Sequence, residues 1–208
     1  HLVDAPPTGP LRRYVAIDYG LDMLAAIWIA VDPNNHATVY RVDGGPNKTI
    51  GEAADLILRN SEGEEIDMYL APPDLWNRSQ ESGKSRAQLF SEAHLPLVQS
   101  SRDFPAGCAA MKQWLRKDEK TGKGYLTFYK PGELWTCLTK IQKDDKNPDV
   151  YAKNPHGLTH FPDALRYFCV WWTSPAKKPV NIKKRPWTAD MYEDYKNASP
   201  SDRKMLIE

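Results

Sequence analysis

Short apolar runs separated by turn residues open the chain and predict three strands in close succession. The first run, 13–18, ends before a Tyr-Gly pair. The second, 25–31, ends at an Asp-Pro-Asn-Asn turn, and a third run with weaker alternation covers 37–42. Because the connections are short, we expect these strands to form an antiparallel meander.

Helical and strand-like patterns alternate after this meander. Thr49 precedes apolar residues at helical spacing, and Glu52 follows it by three residues, the pattern of a capping box. Further strands are predicted at 66–71, 95–99 and 123–129, the last as one strand of a hairpin, and helices at 85–94, 106–117 and 158–173. This order predicts an α/β fold in which a mixed central sheet, antiparallel in its first three strands and parallel afterwards, carries helices on both faces.

Composition and length limit the organisation of the chain. With 208 residues, of which 41% are apolar, we expect one substantial domain at 13–174. The Pro-rich residues 1–12 are interpreted as a linker remnant at the edge of a larger protein, and 175–208 as a Pro- and Lys-rich tail. A balance of 28 basic and 27 acidic residues argues against a surface that is basic throughout, but allows a basic face beside an acidic cluster.

The cysteines and the hydropathy of the chain indicate in which cellular compartment the protein is expected. Cys108, Cys137 and Cys169 are far apart and show no zinc-binding spacing, which fits free thiols in a reducing cytosol. No apolar run approaches the roughly 18 residues of a membrane span. A membrane protein is therefore not expected.

Three acidic residues stand where predicted elements end or begin. Asp18 ends the first strand, Asp74 follows the fourth strand and two prolines, and Asp163 lies in the first turn of the last helix, three residues after His160. If the first and fourth strands are neighbours, these groups converge at one end of the sheet. Taken singly, each has an ordinary interpretation, as a turn residue or a solvated helix face.

The acids can converge only if the last helix points His160 and Asp163 toward the end of the sheet. At about 100° per residue, His160 and Asp163 lie opposite an apolar stripe that includes Phe161, Leu165 and Phe168. If the stripe packs on the core, His160 and Asp163 are expected to face solvent. The helix would then need to lie tangentially, with its first turn reaching past the edge of the sheet.

Three segments, YVAIDYG, APPDLWNRSQESGKS and HFPDALRYF, together resemble the nuclease domain of phage terminase large subunits, a family of the RNase H/retroviral integrase-like superfamily. The resemblance covers about 13–174 in order and implies an RNase H-like fold that binds two Mg²⁺ or Mn²⁺ ions. Position by position, it implies Asp18, Asp163 and His160 as catalytic and metal-binding residues. Many relatives place the middle acid where this chain has Pro72, so we assign Asp74, two residues later.

One alternative for the middle acid stays open, namely Asp67 within the predicted fourth strand. The chemistry that these groups would serve is phosphodiester hydrolysis, in which two cations about 3.5–4 Å apart activate a water and stabilise the leaving oxygen. Carboxylate oxygens are the ligands that hard cations such as Mg²⁺ prefer.

The resemblance also implies a biological role. It implies an endonuclease that cuts concatemeric viral double-stranded DNA during packaging, in the cytoplasm of the infected bacterial host. Its partners would be the portal protein, the small terminase subunit and an ATPase domain N-terminal to this chain. Two alternatives stay open: another RNase H-like nuclease of the resolvase type, and a non-catalytic DNA- or portal-binding module.

Basic residues in the loop after Asp74, and others from the predicted helix 106–117 to the strand 123–129, are predicted to contact DNA phosphates, which position a duplex without reading its sequence. Those assigned are Arg78, Lys84, Arg86, Lys112 and Lys123.

Two local motifs lack part of the pattern that they resemble. The segment 83–85 (GKS) resembles the end of a phosphate-binding P-loop, but the position five residues before Gly83 is Arg78 where that motif needs glycine. Trp171 and Trp172 resemble a base-stacking platform, but their place at the end of an apolar helix favours packing in the core.

Overall fold

The computed structural model describes residues 1–20, 22–119 and 121–173, and the predicted tail lies outside them. Within these residues the strands are β1 (Arg12–Tyr19), β2 (Leu24–Val31), β3 (Ala37–Gly45), β4 (Met68–Ala71), β5 (Leu97–Gln99) and β6 (Leu126–Phe128). The α-helices are α1 (Ile50–Asn60), α2 (Arg86–Glu92), α3 (Phe104–Trp114), α4 (Gly132–Lys140) and α5 (His160–Thr173). Short 3-10 helices cover Pro73–Trp76 and His156–Leu158.

The strands form one mixed sheet in the order β5-β4-β1-β2-β3-β6. The predicted meander is confirmed, since β1 pairs antiparallel with β2 and β2 with β3. β4 pairs with β1 in parallel, Leu70 opposite Ala16, and β5 pairs with β4 in parallel. The first and fourth strands are therefore neighbours, and their C-terminal ends lie at the same end of the sheet.

The last strand differs from its prediction. The pattern of 123–129 predicts one strand of a hairpin, but β6 pairs in parallel with β3, Leu126 opposite Ala37 and Phe128 opposite Val39. The preceding turn closes through a single antiparallel bridge between Lys117 and Gly124. After that bridge the chain joins the edge of the sheet beside β3. The apolar side chains of β6 are buried in the core at this edge, and this burial favours pairing with β3 over pairing with a hairpin partner.

Each face of the sheet has its own apolar cluster. Along β1, Tyr14 and Ala16 belong to the cluster covered by α3, α4 and α5, whereas Val15 and Ile17 belong to the cluster covered by α1 and α2. This alternation is the period of two that a strand imposes. β2 is buried along its whole length because it lies in the middle of the sheet. The prediction of helices on both faces is confirmed.

Capping residues and apolar spacing in the sequence predict most of the helices that the structure contains. The capping box is present, because the Thr49 amide donates to the Glu52 carboxylate at 2.8 Å and the Glu52 amide donates to Thr49 Oγ1 at 3.3 Å. Helix α4 is not predicted by the sequence pattern. Its fully buried residues are Leu134 and Cys137, and two apolar positions are too few to give a recognisable helical periodicity in the sequence.

Aromatic packing explains the tryptophan pair at the end of α5. The rings of Trp171 and Trp172 lie 5.7 and 5.4 Å from the ring of Tyr14 on β1, centroid to centroid. Both side chains pack against the core cluster on that face, as predicted.

The first residues of the chain also contact the sheet. The amide of Val3 donates to the Phe128 carbonyl at 3.0 Å, and the amide of Phe128 donates to the His1 carbonyl at 2.8 Å. These residues therefore pair with β6, although their proline content predicts a linker. Among the described helices, none combines the length and the apolar character that a membrane crossing requires.

Candidate metal centre

The pleat of β1 directs Asp18 toward helix α5. Residues two apart share a face of a strand, so Asp18 lies on the face of Tyr14 and Ala16, which pack beneath α5. His160, the first residue of α5, places Nδ1 2.9 Å from Asp18 Oδ2. The end of the first strand and the start of the last helix therefore meet through a direct hydrogen bond.

This pair is buried, and burial changes how both groups hold protons. The side chain of Asp18 is 18% exposed and that of His160 only 6%. Burial raises the pKa of Asp18, and the hydrogen bond from His160 opposes this rise. The hydrogen bond to Asp18 raises the pKa of His160, and burial opposes it. The pair therefore favours keeping a proton between the carboxylate and the imidazole.

The expectation that His160 faces solvent is wrong. Helix α5 packs against the sheet on one side and against α3 on another, and Tyr167, seven residues after His160 and on the same side of the helix, is also buried. The approach of α3 is close at Gly107, where an added Cβ would lie 2.5 Å from Arg166 Cγ. A helix enclosed by two layers buries more of its circumference than one apolar stripe.

Asp163 lies one turn into α5 and accepts hydrogen bonds from three donors. Arg166 donates through Nε at 3.0 Å and pairs through Nη2 at 2.9 Å, and the Tyr151 hydroxyl donates at 2.5 Å. The charge of Asp163 also contributes to the raised pKa of Asp18, so the two carboxylates are electrostatic neighbours. Both predicted acids lie at the same end of the sheet.

Asp74 is placed by the 3-10 helix that begins directly after β4. Its Oδ2 lies 3.5 Å from Arg86 Nη2 at the start of α2. Asp74 and Asp163 line one cavity of about 300 Å³, together with three cationic side chains, one of them also on α5. These cations are Arg102, Lys153 and Arg166.

Asp67, the alternative to Asp74, lies at the opposite end of β1. Its amide donates to the Arg13 carbonyl at 2.8 Å, and its carboxylate pairs with Arg12 at 3.1 Å. Asp18 lies five positions after Arg13, on the order of 16 Å along the strand. Asp74 is therefore the one of the two that shares a cavity with Asp163.

Two residues beside this cluster are not singled out by the sequence pattern. Asp22, in the β1–β2 turn, has Oδ2 3.4 Å from His160 Nε2 and 3.6 Å from His156 Nε2. The sequence signal is the four-residue spacing of His156 and His160. It is weak because the two histidines belong to different short elements, whose relative direction depends on the fold.

The residues predicted to bind DNA fall into two groups. Arg86 contacts Asp74, while Lys84 pairs with Glu92 on the exposed side of α2. Arg78 forms an isolated antiparallel β-bridge with Ser85, in the loop between Asp74 and α2. This first group lies on the Asp74 side of the centre.

The second group lies on α3 and before β6. Lys112 pairs with Asp149 at 3.4 Å on the exposed side of α3. Lys123 precedes β6, whose Leu126 lies at the end of the sheet where β1 begins. The structure therefore does not bring Lys123 together with Asp18, whereas Arg102 and Lys153, which the sequence pattern does not single out, lie with the acids.

Solved structures from phages share this fold. The nuclease domain of the large terminase (g2p) of bacteriophage SPP1, solved with bound Mn, is 14% identical with a TM-score of 0.52, and the match covers 80% of this chain and 93% of that one. The large terminase nuclease of thermophilic phage G20c is 10% identical with a TM-score of 0.54, covering 83% and 92%. The same G20c nuclease with bound magnesium is 11% identical with a TM-score of 0.54, covering 82% and 84%.

At these identities the similarity establishes the fold, and the predicted RNase H-like architecture is confirmed. No protein-family model and no curated protein matches the chain.

Replacing Asp18 with Asn is expected to lower the pKa of His160, because a neutral amide stabilises the imidazolium less than a carboxylate does. In the wild type, the stability that protonated His160 contributes is fully present below the ordinary histidine pKa of about 6.5 and is lost as pH rises through the raised value. NMR titration of the His160 ring measures the change, with the exposed His94 as internal control. An unchanged or higher His160 pKa in the variant would contradict this account.

Proposed function

We propose that this chain is a metal-dependent DNA endonuclease that hydrolyses phosphodiester bonds with two divalent cations. One observation carries the proposal: acids from the end of β1, from the turn after β4 and from the first turn of α5 lie at one end of the sheet. Asp18 contacts His160 at 2.9 Å, and Asp74 and Asp163 line one cavity. Carboxylates from three distant segments at the same end of the sheet supply oxygen ligands of the kind that divalent cations prefer.

The residues at this centre fit hard divalent cations. Asp18, Asp74 and Asp163 supply the oxygen ligands that Mg²⁺ and Mn²⁺ prefer. In the structure each carboxylate has a basic partner, namely His160, Arg86 or Arg166. Two bound cations would supply an activated water and a stabilised leaving oxygen.

Other side chains near the carboxylates are proposed to assist catalysis and to bind the phosphates of the substrate. His160 is placed to assist beside the carboxylates, with Nδ1 bonded to Asp18 Oδ2. The cavity that holds Asp74 and Asp163 also carries Arg102 and Lys153, which suit the phosphate groups of a nucleic acid. We assign Arg78, Lys84 and Arg86 to the continuation of this phosphate-binding surface.

The biological context extends this proposal. The SPP1 and G20c proteins with the same fold are nuclease domains of large terminases. We therefore propose that the chain cuts concatemeric viral double-stranded DNA during genome packaging, in the cytoplasm of the infected bacterial host. Its proposed partners are the portal protein, the small terminase subunit and an ATPase domain of the same polypeptide.

Incubation with supercoiled plasmid tests the proposed function. The purified chain is expected to nick and then linearise the plasmid in Mn²⁺ or Mg²⁺, and to leave it intact in EDTA, because the carboxylates need cations to act. Duplex binding that persists in EDTA without cutting under any divalent metal would replace the proposal with a non-catalytic binding module. A strong preference for branched over linear DNA would favour a resolvase.

A further inference from the structure

We propose that Asp22, His156 and His160 form a nitrogen-rich metal site that adjoins the carboxylate centre through His160 and takes a borderline transition ion such as Zn²⁺ or Co²⁺. The site is chemically distinct from the carboxylate centre, because two of its three ligands are imidazoles. It uses Nε2 of His160, whereas Asp18 contacts the other ring nitrogen. The inference does not depend on nuclease activity.

The distances between the side-chain atoms fit a tetrahedral ion. Asp22 Oδ2 lies 3.4 Å from His160 Nε2 and 3.6 Å from His156 Nε2, and the ligand atoms of all three residues lie within 4.8 Å of one another. Zinc–nitrogen and zinc–oxygen bonds of about 2.0–2.2 Å place neighbouring tetrahedral ligands about 3.3 Å apart or slightly more. A charge-assisted hydrogen bond would instead bring nitrogen and oxygen to about 2.7–2.9 Å. The two distances from Asp22 to the histidines are therefore close to the spacing of co-ligands.

Asp18 orients the central ligand of this site. A metal-binding histidine usually donates its second ring N–H to a carboxylate, which fixes the tautomer and directs the free nitrogen at the ion. His160 shows this arrangement, with Nδ1 2.9 Å from Asp18 and the ring buried. One ligand is thus held in place before any ion arrives.

The other two ligands are open to solvent, so an ion can reach them. The side chains of Asp22 and His156 are 61% and 67% exposed. The His156 ring lies edge-on to the His160 ring at 4.5 Å between centroids. Beside them lies a cavity of about 580 Å³, lined by Asp22 and His160. A fourth coordination position would be filled from this cavity by water or another ligand.

The donor set determines which ion fits. Imidazole suits Zn²⁺, Co²⁺, Ni²⁺ and Cu²⁺, whereas Mg²⁺ prefers oxygen ligands and keeps several of its waters. The Asp22–His156–His160 site should therefore select transition ions over Mg²⁺. The carboxylates Asp18, Asp74 and Asp163 would have the opposite preference.

Binding of Co²⁺ and Zn²⁺ to the full chain, without DNA, tests the inference. Visible absorption should report a tetrahedral Co²⁺ complex, and calorimetry should give the Zn²⁺ affinity. His156→Ala is expected to weaken both by more than about tenfold, and Asp18→Asn by about 10–100-fold through loss of the orienting carboxylate. Excess Mg²⁺ should not displace the ion.

Matched controls separate this site from other histidines and from misfolding. His94→Asn changes an exposed histidine outside the cluster and should bind as the wild type does. Circular dichroism checks that every variant is folded. Wild-type affinity in both His156→Ala and Asp22→Asn, or displacement by Mg²⁺ at concentrations comparable to Zn²⁺, would overturn the inference. Because the assay contains no DNA, its outcome is independent of whether the chain cuts DNA.

Discussion

The Asp18→Asn variant is expected to lose more than about a hundredfold of the Mn²⁺-dependent plasmid cleavage while keeping its fold. Replacing even an outer-shell partner of a metal ligand typically costs 10–100-fold, and we place Asp18 in direct contact with the ions. The substitution is nearly isosteric, so the packing of β1 beneath α5 should persist. Initial rates of nicking measure the loss, and thermal unfolding verifies the fold.

Asp67→Asn is the matched control for this prediction. It makes the same chemical change next to the same strand, but at the end remote from the centre, where the carboxylate pairs with Arg12. Its cleavage rate should equal that of the wild type. If Asp67→Asn removed cleavage and Asp18→Asn did not, the active centre would have to lie at the other end of the sheet.

Removing the Arg166 guanidinium is expected to lower the free energy of unfolding by about 3 kcal/mol or more. The side chain of Arg166 is 5% exposed and pairs with Asp163, so its loss leaves a largely buried carboxylate without its cation. The guanidinium also stacks on Phe104 and Tyr167, at 5.0 and 4.4 Å from the ring centres. Urea denaturation of Arg166→Met measures the effect.

Two comparisons make this stability prediction specific. Lys84→Met removes an exposed ion pair with Glu92 and should cost less than about 1 kcal/mol. Combining Arg166→Met with Asp163→Asn should recover part of the lost stability, because the unpaired charge is then gone. Strict additivity of the two substitutions would show that packing, and not the ion pair, accounts for the role of Arg166.

Local patterns in the sequence are sufficient for much of the fold. Apolar runs and turn residues predict the meander β1–β3, and the cap predicts α1, because each depends on neighbours in the chain. Asp18 and Asp74 are located as acids at strand ends for the same reason. The resemblance to terminase nucleases then links these acids to Asp163 and His160, whose roles in catalysis and metal binding stay predictions.

Pairing between strands that are distant in the chain decided two points that local sequence patterns left open. The parallel partner of β6 depends on an open edge at β3, a property of the assembled sheet that no segment of the chain encodes alone. Asp67 and Asp74 became distinguishable only when the parallel register of β1 and β4 placed them at opposite ends. The boundary between the domain and the tail stays a prediction.

What the sequence determined, then, is which residue types stand at the ends of which elements, since strand period, turns and caps act over a few residues. The tertiary structure alone decided that His160 is buried against Asp18, and that Asp22 and His156 come within ligand distance of it. Those contacts require α5 to be enclosed between the sheet and α3. The direction of a side chain there is set by packing between segments that are distant in the chain, such as α5 and the end of β1.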